Sequence, residues 1–132
     1  MLQLQLLQLL LHEIIHALCY PISAEVKIFQ DIKNGVIVCF CGEPIRKSRF
    51  IVMSLAPSVC LAIIPFVIWC IMIHNFDGVG QYVFSYCILV TILGGGDFIN
   101  AFNAAVQMPQ NSFHQLSGIH SYWFEKAEDN KL

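Results

Sequence analysis

Two histidines four residues apart, with a glutamate directly after the first, stand inside an almost wholly apolar run from Leu2 to Leu18: His12-Glu13-Ile14-Ile15-His16. On a helix, residues four apart share a face about one turn from each other, so both imidazoles can reach a single metal ion. Zinc suits two histidines in this pattern. The glutamate of such a pattern does not bind the ion; it takes a proton from the attacking water and returns one to the leaving amine. His12 and His16 are therefore candidate metal ligands and Glu13 the candidate general base. A buried histidine is more often a hydrogen-bonded core residue. Here, however, three polar residues interrupt a segment apolar enough to sit in lipid, where each ionisable side chain costs about 2.5 to 3.5 kcal/mol and is by default functional.

A catalytic zinc usually takes three protein ligands, and two histidines plus a carboxylate are a standard set. Asp97 is the acidic residue inside the later apolar stretches, following Gly94-Gly95-Gly96. An unpaired carboxylate there is costly and a ligand is not, which points to Asp97 as the third ligand. The alternative is an aspartate capping a helix that restarts after the glycines. Asn100 and Asn103 follow at helical spacing, where they could orient that carboxylate or hold a substrate backbone. His114 and His120 are the rivals for the third position.

These residues need elements to hold them. The chain has 132 residues, 57% hydrophobic and 12% charged, against about 25% charged in an ordinary soluble domain. It reads as one membrane-embedded domain, 1–132, mainly α, with about three transmembrane helices and a β-hairpin between the first and second. A helix over 1–21 carries the histidines and ends at Pro21. It lacks the basic start of a secretory signal and reads as a retained span. Residues 22–49 hold most of the charge and read as a cytosolic hairpin loop turning at Lys33-Asn34-Gly35. A second span covers 50–73, bent or merely accommodated at Pro57 and Pro65. A polar link turns at Asp77-Gly78. A third span covers 82–106, and 107–132 is a polar cytosolic tail.

Lys and Arg cluster in the loop and tail and avoid the link, so by the positive-inside rule the site lies toward the cytosolic side of an integral, cell-membrane protein. Counting about 1.5 Å per residue from the cytosolic ends puts His12, His16 and Asp97 at similar depth, about 6 to 13 Å inside. The formal net charge of -2 gives no case for nucleic acid, which wants a clustered basic face. The six cysteines form no C-x-x-C pair and read as reduced, buried hydrophobes.

The chain resembles the family described as Putative zincin peptidase, small integral-membrane proteins related to the site-2-protease type of intramembrane metallopeptidase. The resemblance rests on His12-Glu13-Ile14-Ile15-His16, Ser54-Leu55-Ala56-Pro57, Gly96-Asp97 and the run Ser117-Gly118-Ile119-His120-Ser121-Tyr122-Trp123. It implies a zinc-dependent peptidase acting within or at the bilayer on a membrane-protein or peptide substrate, with His12 and His16 as ligands, Glu13 as base and Asp97 as third ligand. It also implies a further hydrophobic segment ahead of the histidine helix, so an upstream helix or a homo-oligomer is expected to complete the enclosure of the metal. The competing readings are a non-catalytic zincin-like membrane protein that binds a partner or metal, and a small transporter subunit. Glu13 argues against the first of these, because a structural site needs no base, and the order His-Glu-x-x-His against the second.

Overall fold

A computed structural model describes residues 2–31, 36–72, 78–117 and 120–125. The leucine- and glutamine-rich start, made of good helix formers, is helix α1, Leu2–Cys19. Pro21 follows it, where a residue without an N–H cannot continue the helix. Strands β1 (Lys27–Asp31) and β2 (Val36–Phe40) pair antiparallel, Ile28 opposite Cys39 and Gln30 opposite Ile37. The turn expected at Lys33-Asn34-Gly35 lies outside the described residues.

A two-residue strand β3 (Ile45–Arg46) leads straight into α2 (Lys47–Ser58), which runs through one π-helical stretch, Val59–Ile63, into α3, Ile64–Met72. Helix α4 (Gly78–Leu93) and helix α5 (Gly95–Gln107) follow, and then strands β4 (Ser112–Ser117) and β5 (His120–Glu125). Strand β4 is the middle of a second sheet, ordered β3-β4-β5, with Ile45 opposite His114 and His114 opposite Trp123.

This architecture corrects the expectation of three spans and one hairpin. Among the described residues, one helix is long and apolar enough to cross a membrane, Lys47–Met72, of 26 residues. The apolar part of α1, Leu6–Cys19, is shorter than that. The stretch read as a third straight span is broken at Gly94, where α4 and α5 meet at 51°. Sterics show what the break does: a Cβ on Gly94 would lie 2.5 Å from Ser58 Oγ, so α2 and the α4–α5 corner touch backbone to side chain. The region read as a polar tail contains β4 and β5. Its end, with Lys126 and Lys131, and the turn residue Asp77 lie outside the described residues.

The core sits at one end of the molecule. Tyr20, Cys41, Ile45, Phe50, Met53, Ala104 and Met108 bury one another where α1, α2, α5 and both sheets converge. Lys47 is also buried there, and its Nζ donates to the carbonyls of Ala105 and Met108 at 2.9 and 2.6 Å. These are carbonyls at the C-terminal end of α5, which have no helical donor of their own. One ammonium thus ties the start of α2 to the end of α5. Away from this end the helices show apolar side chains outward, among them Ile68, Ile71, Met72, Val79, Tyr82 and Ile92.

Candidate metal centre

Helix α1 brings His12 and His16 together as their spacing requires: their Nε2 atoms are 3.1 Å apart and the rings stand edge to face. The helix break supplies the third group. Gly94 is the N-cap of α5 and makes no side-chain capping bond, and Asp97 lies in the first turn. The Asp97 carboxylate is spent on the histidines instead: Oδ2 is 2.9 Å from His12 Nε2 and 3.4 Å from His16 Nε2. All three side chains are mostly buried.

His16 is held from its far side. Its Nδ1 lies 3.0 Å from the Met53 carbonyl oxygen, which can only accept, so Nδ1 carries the proton and Nε2 is a bare lone pair when the ring is neutral. His12 Nε2 has at most one hydrogen, which cannot serve both Asp97 Oδ2 and His16 Nε2. With both rings neutral, three electron-rich atoms therefore converge with too few hydrogens between them, an arrangement that a cation satisfies. The size of the triangle also fits. Ligands about 2.0 to 2.1 Å from a tetrahedral zinc lie about 3.3 Å from one another, and here the three separations are 3.1, 2.9 and 3.4 Å.

Glu13 stands beside this triangle, its carboxylate and the two histidine nitrogens all within 4.8 Å of one another. The backbone N–H of Cys39 on β2 donates to Glu13 Oε2 at 2.6 Å. The burial of Cys39 and the negative charge of Glu13 beside it push its thiol up to about 11, so the thiol stays protonated at neutral pH.

Two cavities have both Glu13 and Asp97 in their walls. One, of about 200 Å³, lies among α1, α4 and α5, with Gln8, His12 and Gly96. The other, of about 270 Å³, opens between the sheets, with Val38 and Cys39 on β2, His114 and Leu116 on β4, and Phe50, Ser54 and Asn100 on the helices. Asn100 thus shares a wall with Asp97, whereas Asn103 is exposed and lies in the wall of neither.

His114 turns out to be a cavity residue of another kind. It is 4% exposed, stacks on Phe50 at 3.7 Å between ring centroids, and has Nε2 2.6 Å from Ser121 Oγ. Burial lowers its pKa to about 4, so it is neutral at physiological pH. His120 lies exposed on β5, beside Tyr122. The Met53 carbonyl, the Cys39 amide and the Ser121 hydroxyl are partners the sequence did not signal. A backbone group has no residue code, and the bond from Ser121 to His114 follows only from the pairing of β5 with β4.

Comparison with curated proteins and with solved structures yields no match for this chain. The family described as Putative zincin peptidase matches residues 6–113. That range contains the His12–His16 pattern, the long helix, the broken pair α4–α5 and the start of β4, and the chain belongs to this family.

Proposed function

We propose that the chain is a zinc-dependent peptidase that works at or within a membrane, with His12, His16 and Asp97 holding the ion and Glu13 serving as general base. The observation that carries this reading is the convergence of His12 Nε2, His16 Nε2 and Asp97 Oδ2, with the Glu13 carboxylate alongside.

Bound zinc supplies Lewis-acid polarisation of the scissile carbonyl and of the attacking water. The rest falls to the chain. Glu13 takes the proton of the water and passes it to the departing amine, a role that needs one free carboxylate oxygen in a fixed place. The Cys39 N–H fixes it by holding the other oxygen, Oε2. The larger cavity takes the substrate: β2 forms one wall and β4 the other, so a locally unfolded peptide lies between two strands and presents its backbone to β2. Asn100, in the same wall as Asp97, is suited to hold a substrate amide.

The membrane setting is supported by the 26-residue apolar helix, about 39 Å long at 1.5 Å per residue, and by the outward-facing apolar side chains of α3 and α4. Lys27, Arg46 and Arg49 lie at the end of the molecule that carries the sheets, which favours a cytosolic position for that end. The test is a detergent-purified protein assayed for zinc content and for cleavage of a membrane-tethered reporter, with Glu13→Gln beside the wild type. Zinc in both and cleavage in the wild type alone is the expected result; equal cleavage by both removes Glu13 from the reaction.

A further inference from the structure

The carbonyl that holds His16 is free because of a proline. In an α-helix the carbonyl of residue 53 points at the amide N–H of residue 57. Residue 57 is Pro57, inside α2, which has no N–H and whose ring crowds that same carbonyl. Met53 therefore lacks its helical donor, and its oxygen accepts from His16 Nδ1 at 3.0 Å. Pro57 is itself fully buried, so it is packed in place and not a loose bend.

We propose that Pro57 is a positioning residue for the metal centre. By withholding an N–H it reserves the Met53 carbonyl for His16, fixes the Nδ1–H tautomer of that ring, and leaves the Nε2 lone pair aimed at His12 Nε2 and Asp97 Oδ2. The inference rests on the zinc reading above, but the hydrogen bond it explains exists without the ion. The same helix contains an internal comparison. Pro65, in α3, also withholds an N–H, but from the π-helical stretch Val59–Ile63, about 12 Å further along the axis, and not from the carbonyl that His16 uses. If prolines mattered here only by bending the helix, the two would be equivalent.

Pro57→Ala restores an N–H that competes for the Met53 carbonyl. The expected result is zinc affinity about 10- to 100-fold weaker than wild type, the usual scale for losing a partner that orients a ligand, with an altered visible spectrum of the cobalt-substituted protein. Pro65→Ala is expected to keep both at wild-type values. Equal zinc affinity in Pro57→Ala and wild type overturns the proposal, as does an equal loss in Pro57→Ala and Pro65→Ala.

A second measurement covers the case in which Pro57→Ala fails to fold. Nitrogen NMR of metal-free wild type with labelled histidine, recorded at a pH alkaline enough for the His16 ring to be neutral, is expected to show the Nδ1–H tautomer, and an Nε2–H tautomer overturns the proposal. Absence of zinc binding by the wild type itself would instead count against the peptidase reading, and the tautomer would still decide the role of Pro57.

Discussion

The backbone N–H of Cys39 donates to Glu13 Oε2 at 2.6 Å across 26 residues of chain, so an amide of a β-strand sets the position of an acid on a helix. Cys39 sits opposite Ile28 in the β1–β2 ladder, and its N–H points away from that ladder. The hairpin is thus part of the site and does not merely lie over it.

This relationship gives the first prediction. Cys39→Pro removes the N–H from the outer side of β2 without removing a β1–β2 hydrogen bond, whereas Cys39→Ala keeps it. A hydrogen bond to a charged group is worth about 1.5 to 3 kcal/mol. In reporter-cleavage assays Cys39→Pro should lose about 10- to 100-fold in kcat, with zinc content unchanged and Cys39→Ala near wild type. A fully active Cys39→Pro would mean that Glu13 needs no such anchor.

The proposed metal centre gives Glu13 and Asp97 different roles. His16→Ala should abolish zinc binding, and Asp97→Ala should weaken it because three protein ligands become two. Asp97→Asn should fall between them, an amide oxygen being a poor ligand. Chelation should inactivate the wild type and added zinc restore it. Loss of zinc in His120→Ala with retention in Asp97→Ala would transfer the third position to the C-terminal strands.

His114 predicts a pH dependence of stability. Its folded pKa is lowered to about 4 from 6.5 by burial, so the unfolded chain binds the proton first. The stability it contributes is full above pH 6.5 and falls as the pH drops toward 4, by up to about 3 kcal/mol. Thermal unfolding of metal-free protein, wild type against His114→Gln, isolates this from zinc release. A wild-type midpoint no more pH-sensitive than that of the variant would show that His114 charges freely in the fold.

The Gly94–Ser58 contact predicts a non-additive pair. Gly94→Ala forces a methyl against Ser58 Oγ and should cost about 1 to 3 kcal/mol, the scale of overpacking. Ser58 Oγ is buried without a hydrogen-bond partner among the described residues, so Ser58→Ala alone should be neutral or mildly stabilising. The double variant should recover most of the loss. Additive effects in denaturation would mean that the corner is not where these two residues meet.

The legibility of this molecule in its sequence follows from the range of each signal. The four-residue spacing of His12 and His16 is itself helix geometry, and the β-prone run that starts at Val36, just after Asn34-Gly35, is a local strand signal, so both could be read locally. Hydropathy reports how apolar a stretch is and not which way it runs, so 82–106 read as one straight span. The 51° corner at Gly94 sets the α4–α5 backbone against Ser58 on another helix, a contact that no local pattern shows. Depth counting along a straight helix loses its basis at that corner, and what brings Asp97 to the histidines is the change of direction. The second sheet was hidden for a related reason: β3 is only Ile45–Arg46, too short for any pattern, and β4 reads as polar until it has a partner on either side.

The bond from His12 to Asp97 spans 85 residues of sequence, and this separation has a consequence in time. At synthesis rates of about 5 to 20 residues per second, the histidine pair exists for about 4 to 17 s before its carboxylate has been made. On the proposed zinc reading, the growing chain during that interval presents two imidazoles without a third ligand, a weak and unselective trap for metal. On that reading, tight loading waits until α4 and α5 have been made and have turned their corner against α2. Any product that stops before residue 97 would display the His-Glu-x-x-His pattern in full and still lack the site.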